Sequence, residues 1–334
     1  MLAPNWLGDA VMATPFCARL RERLPSARVS LFCRSYVADV FRGSPAVDRL
    51  IEYERSGGVC GRISAVRRAK PAGGYDVCFT MPPSFAAGLI ALSSGARRRV
   101  GYRFECRGFL LTDALPGSRY RSRHLSAAYL GLIERLTGMR ETEAPLPAVA
   151  PPDGWRDAVH RRVAANDYVV LAPGATYGSS KVWPIERFSV LARRLADRTG
   201  WPIVVVGTAP ERDGASRILE DARAAGKNLA GVCTVGELIC VLRGSRITIG
   251  NDSGPVHLAA ALGRPTVAVF GPTSVEWTAP RGVAVRIVRG EAACSPCFKR
   301  ECPEGIPECL LNVSVDEVYH AAALLIEEGA GGNR

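Results

Sequence analysis

The 334-residue chain predicts an α/β protein built as two doubly wound, Rossmann-like domains facing a central cleft. Three observations carry this prediction. Strand-length apolar runs alternate with helical patterns through both halves of the chain. One Pro-rich polar stretch, Glu143 to Gly154, separates the halves and sets domains of 1–148 and 149–334. In the second half, two loops of small residues lead from buried strands into helices, as at the ligand-binding edge of an open parallel sheet.

In the first half, Ala10 to Leu24 reads as a helix, Val29 to Cys33 as a strand and Val37 to Gly43 as a helix. A strand near Arg49 to Tyr53, a basic helix around Arg62 to Lys70 and a buried strand at Tyr75 to Thr80 follow. Phe85 to Ser93 reads as a helix, Arg99 to Gly101 as a short strand and Leu125 to Thr137 as a helix. The front is short: a doubly wound domain opens with a strand of about five residues, yet only Met1 to Pro4 precede Asn5-Trp6-Leu7-Gly8-Asp9. Either the first strand is unusually short or the true start lies upstream. In the second half the elements are a strand at Tyr168–Leu171, a helix at Ile185–Thr199 and a strand at Ile203–Gly207. Helices near Gly214–Ala225 and Val235–Arg243 precede a strand at Ile247–Gly250, and a C-terminal helix closes the domain.

Composition narrows the class. With 47% hydrophobic and 22% charged residues the chain is expected to be globular rather than disordered. No apolar run approaches the roughly 20 residues of a membrane span, and Met1 to Val11 lacks the basic start and apolar core of a secretory signal, so a cytoplasmic location is expected. Eleven scattered cysteines fit a reducing compartment. The net charge of +11 is uneven: residues 1–150 hold 22 Lys and Arg against 12 Asp and Glu, whereas residues 151–334 hold 21 against 20. Arg97 to Arg99, Arg103, Arg107, Arg119, Arg121 and Arg123 concentrate it, which suggests an acidic partner for the first domain.

The most informative stretch is Asn251 to Pro272, NDSGPVHLAAALGRPTVAVFGP. Its polar turn leads into Pro255 and an apolar helix, where Asp252 or Ser253 is placed to cap and Pro suits the first turn. Gly254 permits close backbone approach, and the free N–H groups of a helix start attract an anion, so a diphosphate is expected here. Pro173 to Lys181, PGATYGSSK, is a second such loop. Only four of the 43 cationic side chains are lysines, so Lys181 in a Gly/Ser loop points to a compact charge for a leaving diphosphate.

Together with Pro4 to Asp9, Pro83-Ser84-Phe85, Gly101-Tyr102-Arg103 and Leu110 to Asp113, these segments resemble bacterial glycosyltransferase family 9, the heptosyltransferases of lipopolysaccharide core synthesis. The likeness runs in order along nearly the whole chain. It implies a GT-B architecture with an acceptor-binding first domain and a nucleotide-sugar-binding second one. It also implies inverting transfer of L-glycero-D-manno-heptose from ADP-heptose to a heptosyl-Kdo-lipid A core, with no cofactor required for catalysis. On this resemblance Asp9 is the general base, Lys181 neutralises the leaving group, and Thr176, Asp252, Ser253, Gly254 and His257 hold the donor. Glu211 is a candidate for the nucleotide ribose, with Asp213 competing. The basic first domain, Arg97 to Arg107 above all, is then expected to grip an anionic glycolipid at the inner face of the inner membrane. From residues alone, Asp9 reads first as the cap of the helix beginning at Ala10 and His257 as a core or solvated histidine; the resemblance reverses both preferences.

Cys294, Cys297, Cys302 and Cys309 lie within sixteen residues among prolines and glycine. They form a candidate structural zinc or iron–sulfur site, with free thiols or a disulfide as alternatives. Two readings compete with the main one: the same fold using another nucleotide sugar or acceptor, and a non-catalytic binder of anionic polymers, which leaves both phosphate loops unexplained.

Overall fold

The computed structural model describes residues 1–141, 143–305 and 307–331. The chain divides into two compact units, Met1–Ala150 and Pro151–Arg334.

The first unit is organised around parallel strands β1 (Ser30–Arg34), β2 (Arg49–Tyr53), β3 (Val77–Thr80), β4 (Arg98–Tyr102) and β5 (Asp113–Leu115). The two-stranded β1–β2 ladder and the three-stranded β3–β4–β5 ladder are joined by the first residues of the chain. Leu2 bridges Phe32 on one side and Thr80 on the other. Its N–H donates to Phe79 and its carbonyl accepts from Met81, while Ala3 donates to Phe32. Both neighbours thus satisfy the Leu2 backbone groups, and its side chain is buried between them. The expected Ala10–Leu24 helix is two pieces, Leu7–Met12 and Thr14–Arg23. Pro15 explains the break: it has no N–H to continue the first ladder and is suited to a new first turn.

The second unit is a single six-stranded parallel sheet. Its strands are β6 (Val169–Ala172), β7 (Ile203–Val205), β8 (Gly226–Asn228), β9 (Ile247–Asn251), β10 (Thr266–Phe270) and β11 (Val285–Arg289). They lie in the spatial order β11-β10-β9-β6-β7-β8. Every residue of β6, β9 and β10 is buried, as continuous apolar strands covered on both faces must be. The helix Ile185–Thr199 lays Phe188, Leu191, Ala192 and Leu195 on the sheet, the spacing of a single helical face, and ends at Gly200 in the left-handed region. Trp183 is fully buried, edge-on to Phe188, with its indole N–H donated to the Val313 carbonyl at 3.0 Å. Chain order reverses direction between β6 and β9, so the carboxyl ends of these two strands form the switch point of the sheet.

Candidate functional site

The loop after β6 and the turn after β9 meet at that switch point, and Asn251 ties them. Its side-chain carbonyl accepts from the Trp183 N–H at 3.2 Å, and its amide donates to the Pro173 carbonyl at 2.5 Å. Asp252 follows, fully enclosed. Lys181 Nζ lies 2.5 Å from its Oδ2, the Thr273 hydroxyl donates to the same oxygen at 2.6 Å, and His257 Nε2 stands 3.6 Å from Oδ1. Burial alone would raise the carboxyl pKa; His257 and the Lys181 charge outweigh it and hold the group at about 2. Asp252 thus stays ionised, and it consumes most of the charge that Lys181 brings. Its folded pKa lies below the ordinary carboxylate value of about 3.9, so it stabilises the fold at neutral pH and that contribution disappears as pH falls from about 4 to about 2. Melting temperatures of the protein across that window should drop, and a flat profile would contradict the ion-pair assignment.

Neither expected cap operates. Ser253 occupies the cap position of the helix Gly254–Ala261 but makes no capping bond, and the Asp252 carboxylate is committed to Lys181 and Thr273. Among the described residues the Ser253 hydroxyl has no partner, and it is buried beside the Gly254 and Pro255 helix start. An anion at this helix start would meet that hydroxyl together with free backbone N–H groups. His257 is buried one turn in.

Three residues not anticipated from the sequence join this site. Thr273 lies on the loop after β10, and Tyr177 sits beneath Lys181 with Nζ 4.8 Å from its ring centre. Arg300 places its guanidinium 5.4 Å from the same ring. Thr176, by contrast, is exposed at the tip of the loop, and its hydroxyl makes no hydrogen bond among the described residues.

Glu211 is seated more tightly than its sequence suggested. Its Oε2 accepts from the Thr208 N–H at 2.6 Å in a capping box, and a Cβ on Gly174 would lie 2.0 Å from its Oε1. A Cβ on Gly207 would come within 2.7 Å of Oε2. The carboxylate therefore occupies the gap between the ends of β6 and β7, while Asp213 is exposed in the next helix. If this carboxylate meets the nucleotide ribose, as the resemblance implies, Gly174→Ala should push it out and weaken nucleotide binding as much as Glu211→Ala does; equal nucleotide affinity in wild type and Gly174→Ala would remove Glu211 from the site.

At the cysteine loop the zinc or iron–sulfur reading finds no support, and the free-thiol alternative is what the structure holds. Among the described residues, no group of three or more His, Cys, Asp or Glu side chains is gathered in a metal-holding arrangement, and all four cysteines are free thiols. Cys309 is buried in the helix Glu308–Leu311 and Cys294 is exposed; burial first, and then the neighbouring Cys294, Cys297 and Cys302, raise the Cys309 thiol pKa. The loop works as a brace instead. The Phe298 carbonyl accepts from the Tyr177 hydroxyl, Lys299 from the Ser180 hydroxyl and Arg300 from the Ser180 N–H. Phe298 in turn donates to Pro272. The loop thus fixes both the Lys181 and the Thr273 segments. Gly178 is required there, since a Cβ would stand 2.1 Å from the Arg300 carbonyl oxygen.

In the first unit, Asp9 is half-buried in the helix Leu7–Met12, at its third residue, so it is not the cap residue. Its charge is felt by Tyr36, Tyr120 and Tyr129: burial raises all three phenol pKa values, and the Asp9 charge raises them further. Arg107, expected on a solvent-facing basic surface, is fully buried. It donates to the Tyr102, Pro82 and Ser84 carbonyls, and burial lowers its pKa to about 10, still protonated at neutral pH. Arg98 is held by Asp113 at 2.7 Å, and Arg99 by the Leu110 and Ala96 carbonyls.

The solved structure of Escherichia coli ADP-heptose lipopolysaccharide heptosyltransferase II shares this fold with a TM-score of 0.84, at 24% identity over 98% of both chains. Escherichia coli heptosyltransferase WaaC with ADP-2-deoxy-2-fluoro heptose matches at 0.72, with 19% identity over 98% of both. The molecule is a GT-B glycosyltransferase. Residues 63–306 match the model of glycosyltransferase family 9 (heptosyltransferase), and the chain belongs to that family. It is 26% identical to Escherichia coli lipopolysaccharide heptosyltransferase 2, across 99% of each chain. Among the described residues no helix is long and apolar enough to cross a membrane.

Proposed function

We propose that the enzyme transfers L-glycero-D-manno-heptose from ADP-heptose to a heptosyl-Kdo-lipid A acceptor with inversion at the anomeric carbon. The observation that carries this reading is the Lys181–Asp252–His257 cluster at the switch point, in a chain similar along its whole length to lipopolysaccharide heptosyltransferase 2. Asp9 accepts the proton of the acceptor hydroxyl as that oxygen attacks the anomeric carbon opposite the diphosphate. The carbon–oxygen bond to the diphosphate breaks, and ADP leaves with the electron pair. Lys181, Arg300, the Ser253 hydroxyl and the start of the helix Gly254–Ala261 receive the developing charge, with no bound cation assigned to it. Arg300 matters because Lys181 already faces Asp252, leaving the pair close to neutral. Glu211 accepts from the ribose hydroxyls, and Thr176 closes on the diphosphate. The enzyme works in the cytoplasm, peripheral to the inner face of the inner membrane.

Thermal stabilisation by nucleotides tests the donor. ADP and ADP-heptose should raise the melting temperature, whereas UDP, GDP and CDP should not, since only a ligand that binds the folded state stabilises it. Preference for another nucleotide would keep the fold and replace the donor. No response to any of them would count against a nucleotide-sugar site.

A further inference from the structure

We propose that the apolar face formed by the helix Phe85–Ser93 and the turn Arg107–Leu110 docks on an anionic lipid surface and presents a lipid-linked acceptor to Asp9. The inference rests on the reading of the acceptor as a lipid-linked sugar. The helix, FAAGLIALS, carries no charged residue. Its inner side, with Ala87, Ile90 and Ala91, packs in a core with Leu2, Phe32, Val66 and Cys78. The outer side is left apolar as well: Leu92, seven residues after Phe85 and so on the same helical face, is 46% exposed. Phe109 is 76% exposed, and its ring centre lies 6.3 Å from that of Phe85. Single exposed apolar residues are ordinary, but a helix without a polar side next to an exposed aromatic ring is a contiguous surface that needs cover.

The turn is held rigidly for this role. Arg107 anchors it from below through the Tyr102, Pro82 and Ser84 carbonyls, and a Cβ on Gly88 would meet Leu110 at 2.9 Å, so helix and turn pack closely. The rim is basic. Arg103 is exposed and runs alongside Gly108, the neighbour of Phe109, and Arg99 spans the helix end and the turn through the Ala96 and Leu110 carbonyls. Glu105 is tied to the Phe85 N–H at 2.7 Å. Residues 1–150 carry ten more cationic than anionic side chains, which complements anionic headgroups. An apolar insertion combined with basic attraction is the two-part signal that reversible membrane binding requires. The turn connects toward the proposed base through Phe104, whose carbonyl accepts from the Arg107 N–H at 2.9 Å and whose ring packs edge-on to Tyr120 with centres 5.4 Å apart; burial and then the Asp9 charge raise the Tyr120 phenol.

Flotation of the full chain with phosphatidylglycerol vesicles and with phosphatidylcholine vesicles tests the docking. Binding should favour phosphatidylglycerol and weaken as salt screens the rim. A double variant, Leu92→Asp with Phe109→Asp, should lower the vesicle-bound fraction about tenfold. Both side chains are exposed, so its melting temperature should match wild type, and its transfer to a deacylated, water-soluble acceptor should be unchanged. Undiminished flotation of the double variant overturns the proposal. Loss of transfer to the soluble acceptor also overturns it, because the face would then belong to sugar recognition. A wild-type enzyme that floats but transfers nothing to the soluble acceptor counts against the proposed function and leaves the docking standing.

Discussion

Asp9→Asn is expected to lower kcat by about 10²- to 10⁴-fold, the range of general-base catalysis, while ADP still stabilises the protein as it does wild type. Asn keeps the shape of the side chain and a hydrogen-bonding carbonyl beside Tyr36, Tyr120 and Tyr129, but it has neither the charge nor the basicity to take a proton. Asp9 is also at the third helical position, where a carboxylate favours the helix by only a few tenths of a kcal/mol to about 1 kcal/mol. A large fall in activity with little fall in melting temperature therefore separates the base from a helix-stabilising residue. Unchanged turnover would remove Asp9 as the base.

Lys181→Ala should be costly in two independent ways. Lys181 and Asp252 are 12% and 5% exposed, so removing the lysine leaves a buried carboxylate opposed only by His257 and the Thr273 hydroxyl. Breaking such a pair costs about 3 kcal/mol or more. Without the lysine charge the Asp252 pKa rises from about 2 toward its unfolded value. The loss of stability that wild type shows between about pH 4 and about pH 2 should then flatten in the variant. In kinetics, losing one charge from the leaving group should reduce kcat by about 10²- to 10³-fold. If the melting profile flattens while kcat is untouched, the lysine holds Asp252 and nothing more.

Much of the second unit was legible because its strands are buried on both faces. β6, β9 and β10 read as continuous apolar runs, and the turn chemistry around Gly174 and Asn251 to Pro255 marked their carboxyl ends. The edge strands were not. β8 is the polar Gly-Lys-Asn, and β11 alternates Val and Ile with Arg, so neither stands out from loop composition. β5 has only three residues, and Leu2 acts as a strand through bridges to Phe32 and Thr80 that local pattern cannot reveal.

At the site, residue type and setting singled out Lys181, and the family resemblance added Asp252 and His257, but neither revealed their pairing. Thr273 and Arg300 escaped notice because each lies on a different loop, and they reach Asp252 and Tyr177 respectively only through tertiary packing. Arg107 shows the converse. In a basic sequence it looked like a surface charge, yet three backbone carbonyls make it an internal strut. The cysteine spacing left metal, free thiols and a disulfide open, and it gave no sign that the loop carrying them braces the site through its carbonyls.

The most direct test of the central claim is a single-turnover assay of heptose transfer from ADP-heptose to heptosyl-Kdo-lipid A by purified wild-type protein, with the anomeric configuration of the product determined. The account predicts one heptose added with inversion, ADP released in equal amount and, for Asp9→Asn, the same product formed about 10²- to 10⁴-fold more slowly. Retention of configuration, or an enzyme that binds ADP-heptose and never transfers the sugar, would contradict it.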